Sequence, residues 1–264
     1  MQCCRVPAFA LFAVSCAVVS SQDAKQTVQQ AVQTELAADD ADHTRWSYFD
    51  YDQKPNLVVE QWVAETEKGD LKRVIEENGR KLSENEQRTR IDGFRQNVSA
   101  QARQRKDDQH DDQQTRQMLN MLPQAFLWKQ EGGENGKTVL HFTPNPRFRP
   151  SNYQERVFAA MRGDMTVDSA QHRIVGLRGQ LAHDVKFGGG LFGNLRAGGS
   201  FDIERREIAN GEWQIVETHV HIAGRILFFK NIADQEDDWK SRFKELPTGI
   251  SMVQAERLLL ARNK

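Results

Sequence analysis

The chain has 264 residues, with 36 basic and 37 acidic side chains and a hydrophobic fraction of 38%, which is enough apolar material for one ordinary globular core. A net charge of −1 and the lack of a basic tract exclude a field that would gather nucleic acid or an anionic membrane surface.

Arg5 precedes a short apolar run from Val6 to Val14, and Ser20-Ser21 follows Val18 and Val19. One positive charge before a short apolar stretch reads as a secretory signal over residues 1–21, with the mature chain starting at Gln22 in the periplasm or outside the cell. Ala13-Val14-Ser15-Cys16 offers an alternative, a lipid anchor through Cys16, although the apolar stretch continues past that cysteine. All three cysteines, Cys3, Cys4 and Cys16, fall inside this segment, so the mature chain has no disulfide or thiol chemistry. No later stretch approaches the ~20 apolar residues of a membrane span.

Val28, Val32 and Leu36 recur at four-residue spacing and predict an N-terminal helix within residues 22–45. From Trp46 the pattern turns to strands: an aromatic run, then Leu57 to Thr66, then Leu71 to Glu77 ending at Asn78-Gly79, an antiparallel meander. Ser83 and Glu86 have capping-box spacing before Ile91, Phe94 and Val98, so a helix is inserted over 83–122, its Arg103 to Gln117 portion being a solvated face or a mobile stretch. Strands follow at Thr138 to Phe142, Met165 to Asp168, Arg173 to Phe187, Ser200 to Ile208 and Glu212 to Asn231, with Gly163-Asp164 and Asn210-Gly211 read as turns. They alternate as a sheet covered on one side would, and the sheet unit runs over 46–232. Residues 233–264 read as helical, with Trp239, Phe243 and Leu246 as one stripe and Ser251 capping a last helix.

Three constellations bear on chemistry. Gly188 to Gly193 spells G-x-G-x-x-G, but a strand rather than a helix follows, so the helix N-terminus that a dinucleotide pyrophosphate needs is missing. The same glycine-rich loop presents Leu191, Phe192 and Leu195, which makes these three the candidate ligand contacts, as an apolar flap at a cavity mouth, the other reading being that they pack on the core. Glu217, His219 and His221 alternate on one strand, yet no second ligand segment is marked, so no metal is expected there. The acidic run Asp107 to Asp112 lacks the glycine and spacing of a calcium loop. With no G-x-S-x-G or H-E-x-x-H and no cysteine after residue 16, neither a catalytic site nor a cofactor is expected.

The order of these elements, with Gly163-Asp164, Asp184 to Gly188 and His221 to Phe229, resembles the periplasmic lipoprotein-carrier superfamily, the LolA-like half-barrels, over roughly Arg45 to Ile232. The resemblance implies an α+β fold in which a curved antiparallel β-sheet, a half-barrel, packs with helices. It also implies a lipid or acyl chain as partner, held on an apolar face without catalysis. The other expectation is a structural or regulatory envelope module that binds an envelope protein through the sheet edge or the long helix.

Overall fold

The computed structural model describes residues 21–187, 193–222, 224–226 and 235–262. Residues 1–20 of the signal segment expected over 1–21 lie outside them, and so do Leu191 and Phe192. Helix α1 (Ser21–Ala41) turns Ala24, Val28, Ala31 and Val32 to one side, where each is at most 4% exposed. A meander follows: β1 (Trp46–Lys54), β2 (Leu57–Ala64), β3 (Leu71–Glu77) and the two-residue β4 (Arg80–Lys81). Asn78 and Gly79 join β3 to β4 with φ of 51° and 76°, the pair of left-handed residues that a tight hairpin requires.

Ser83 opens α2 (Glu84–Gln96) with a full capping box, its hydroxyl accepting from the Glu86 N–H while the Glu86 carboxylate accepts from the Ser83 N–H. The expected single inserted helix is two. Asn97 ends α2, and its side chain accepts from the Ala100 N–H to start α3 (Val98–Ala125), so the polar stretch from Arg103 is helical throughout.

Then come β5 (Phe126–Glu134), β6 (Lys137–Pro144), the short α4 (Tyr153–Phe158), β7 (Met161–Asp168) and β8 (Ile174–Leu181). After these the chain forms β9 (Val185–Phe187), β10 (Gly193–Leu195), β11 (Ser200–Ala209), β12 (Glu212–His221), β13 (Gly224–Ile226), β14 (Gln235–Glu245) and α5 (Met252–Ala261). Strand β5 was not legible beforehand, because Gly132, Gly133 and three charged residues mask its alternation.

The main sheet is antiparallel, curved and unclosed, with eleven strands in the order β4-β3-β2-β1-β14-β12-β11-β8-β7-β6-β5. Strands β13, β10 and β9 form a small second sheet. This is the expected α+β half-barrel packed with helices, with one large correction. The stretch holding Trp239, Phe243 and Leu246 is not helical, since β14 lies in the middle of the sheet between β1 and β12.

The apparent helical spacing has a local cause. Arg242, at φ 57°, sits with Phe243 opposite Tyr48 where the β1–β14 register shifts, so Trp239 and Phe243 point to opposite faces. Trp239 meets Tyr51 on one face, and Phe243 packs on Tyr48 on the other.

Gly163-Asp164 is not a turn but the middle of β7. A Cβ on Gly163 would overlap the Arg178 carbonyl oxygen, and one on Gly179 would lie 2.9 Å from both the Arg162 carbonyl oxygen and the Phe201 ring. Glycine is required here because β7 and β8 approach so closely, and it leaves Asp164 in register.

The helices occupy opposite faces at opposite ends. On one face, α1, the C-terminal part of α3 and α4 cover Phe126, Trp128, Leu140, Phe142, Met165 and Leu181. On the other, α2 and α5 cover Trp62, Leu71 and Ile75 with Ile91, Met252 and Leu259. Helix α1 is also held by a buried charge. The Glu35 carboxylate accepts from Arg173 (3.0 and 3.1 Å), Arg205 (2.7 Å) and the Ile174 N–H (2.7 Å). Among the described residues, no helix is long and apolar enough to cross a membrane.

Candidate functional site

The face that α1 covers is apolar, and alternation therefore places polar residues on the reverse face of strands β6 to β12. Hydrogen-bonded register carries one lateral row across eight strands: Lys129, His141, Asp164, Arg178, Asp202, His219, Asp237 and Gln53. These residues come from both halves of the chain and from its last strand, so no sequence window contains the row. A neighbouring row, Arg162, Gln180, Ser200 and His221, runs beside it. The middle of the first row, from His141 to His219, and Arg162, Gln180 and Ser200 of the second line an open groove of about 590 Å³.

Two histidine–aspartate pairs mark the groove. At one end His141 Nδ1 lies 2.8 Å from Asp164 Oδ1, while Arg178 donates to the other Asp164 oxygen at 3.2 Å. At the other end a single oxygen of Asp237 lies 2.7 Å from His219 Nδ1 and 3.0 Å from His221 Nε2. The Asp237 carboxylate holds the His219 imidazole above its ordinary range, against the opposing effect of burial. Burial likewise works against ionised Asp237, yet the hydrogen bonds from His219 and His221 outweigh it and keep that carboxyl low. Glu217 stands 3.7 Å from His219 Nε2, and Trp239 packs edge-on to the same imidazole at 5.0 Å.

Asp237 is thus the partner segment that the sequence did not mark for His219 and His221. It lies in the stretch expected to be helical, so its strand register was invisible. His141 and Asp164 were missed for a related reason: Gly163-Asp164 reads as a turn, His141 stands between the apolar Leu140 and Phe142, and only pairing brings the two together. The alternation Val139, His141, Thr143 was the signal that could have found the first.

Of the three expected ligand contacts, Leu191 and Phe192 lie outside the described residues. Leu195 is in β10, is 1% exposed and belongs to the core beneath α1. Strands β10 and β11 follow the glycine run where a dinucleotide site would need a helix. Asp107 to Asp112 lies on the exposed side of α3, where helical geometry excludes a calcium loop.

No protein-family model matches the chain, and no curated protein and no solved structure matches it either.

Proposed function

We propose that the chain is a non-catalytic carrier, in the manner of a LolA-like half-barrel acting in the cell envelope, that holds an acyl chain or other apolar ligand between its helix layer and its sheet. The observation that supports this reading is the fringe of the core beneath α1. Leu36, Leu119 and Phe158 from the helices, and Leu177, Phe201 and Val220 from the sheet, pack against that core but stay only partly buried. Apolar surface on both layers that stays partly exposed gains by covering an apolar ligand. The inward side chains of α1 are small, so parting the layers there uncovers less apolar area than lifting a leucine-rich helix would.

Mass spectrometry of an organic extract of natively purified protein tests the reading, together with uptake of a fluorescent fatty acid. A lipid retained at about one equivalent is expected, and Leu119→Ser with Phe201→Ser should weaken uptake with little change in melting temperature. No lipid in the extract and no uptake would remove the carrier reading. The edge strand β5, with Leu127 54% exposed, would then be the surface to examine for a protein partner.

A further inference from the structure

We propose that Glu131, His141 and Asp164 bind one divalent d-block cation, of the zinc or manganese class, on the face of the sheet opposite α1. Each residue offers one ligand atom, and the three atoms lie within 4.8 Å of one another. They come from three adjacent strands, β5, β6 and β7. His141 and Asp164 are direct cross-strand partners, and their side chains already touch at 2.8 Å. Glu131 reaches them because β5 bulges there: the register passes from Gln130 opposite Leu140 to Gly132 opposite Val139, leaving Glu131 as the extra residue. A bulge at a sheet edge is a common device for re-aiming a side chain.

The donor set selects the metal. One imidazole nitrogen with two carboxylate oxygens suits zinc or manganese, whereas calcium and magnesium favour oxygen alone. Metal–ligand bonds of about 2.0–2.2 Å place neighbouring ligands roughly 3–3.5 Å apart, which a rotation of the exposed Glu131 side chain supplies.

The surroundings are consistent with this use. Arg178 holds the far oxygen of Asp164, the outer contact that orients a ligating carboxylate. The competing pair, Lys129 to Glu131 at 3.3 Å, joins two exposed side chains and is readily displaced. The remaining coordination positions open on the groove that His141 and Asp164 line, where water or an anionic group can complete the shell. By contrast, His219 and His221 share one oxygen of Asp237 that lies between their rings, a hydrogen-bonded clamp rather than three convergent donors.

Titration calorimetry with zinc and manganese, on protein purified without a histidine tag and stripped by chelator, decides the matter. One saturable site is expected. His141→Ala and Glu131→Gln should each weaken it by roughly tenfold or more, the scale on which even outer partners act. The His219→Ala, His221→Ala double variant should bind as the parent does. Thermal melts of each variant separate lost binding from lost folding, and Glu131, exposed on an edge strand, is the substitution least able to disturb the fold. The site is refuted by the absence of saturable binding, by full affinity in folded His141→Ala and Glu131→Gln, or by loss only in the double variant. No lipid enters this measurement, so it stands or fails apart from the carrier reading.

Discussion

Glu35 shows how much a single side chain contributes in this protein. Burial opposes its ionisation, but the hydrogen bonds from Arg173, the charge and hydrogen bond of Arg205 and the Ile174 N–H together hold its carboxyl below the ordinary range. A buried charge with every partner in place adds little net stability over an apolar replacement, yet removing one member strands the others. Glu35→Ala should therefore cost about 3–5 kcal/mol, because two partly buried guanidinium groups would lose their counter-charge. The urea midpoint of the variant measures this, and a loss below about 1 kcal/mol would show that water replaces the carboxylate. Sequence reading placed Val28, Val32 and Leu36 on the inward stripe but gave Glu35 no role, since nothing local announces a partner as distant as Arg173.

Among the elements, the β1–β14 pair carries unusual electrostatics. Asp52 stands directly opposite Asp238, with Asp50 opposite Lys240 beside them, and like charges facing across strands are unfavourable. Burial pushes Asp238 up to about 6, with the Asp50 carboxylate adding to the rise and Lys240 opposing it. Glu65, just past β2, is pushed up to about 7, mainly by burial and further by Asp70, against the Trp46 N–H and Arg45. A carboxyl whose folded pKa is raised binds more protons folded than unfolded between the two values, so stability falls as pH climbs through that window. His219, also raised, acts in the same direction. The urea midpoint should accordingly be higher at pH 5 than at pH 8 at fixed ionic strength, and Glu65→Gln should narrow the gap. An equal or higher midpoint at pH 8 would mean that these carboxyls are already ionised at pH 5 in the folded state. The lowered carboxyl of Glu35 has the opposite sign, and its contribution fades as pH falls below its ordinary value of 4.5.

For the molecule as a whole, β14 is the strand that joins two blocks. Strands β1 to β4 pair among themselves, β5 to β12 of the main sheet do likewise, and β14 alone bonds to both, through β1 and β12. The domain boundary expected at residue 232 would cut this strand away. A chain ending at Ile232 should lose cooperative thermal unfolding and elute as aggregate, because β1 and β12 would become long unpaired edges. Circular dichroism melts and gel filtration test this, and a monomer with a sharp melt would overturn the assignment of β14 as the joining strand. The same topology delays sheet completion, since Trp46 cannot find Glu245 before the last strand is made.

Sequence alone determined what depends on neighbours in the chain. The Asn78-Gly79 turn, the Ser83 capping box, the Ser251 cap, the inward face of α1 and the period-two strands between Trp46 and Glu77 all rest on backbone preferences within a few residues. These sufficed for helices packed with an antiparallel sheet, while the half-barrel was what the resemblance in element order implied. Only the tertiary structure decided where β14 lies, why Gly163 is inside a strand, and which groups meet on the face opposite α1. Asp237 joins His219 and His221, and Glu131 joins His141 and Asp164, through register between strands far apart in sequence. That register is set by packing of the apolar face and by bulges such as those at Arg242 and Glu131, and a slip of one residue would turn every polar side chain of a strand into the core.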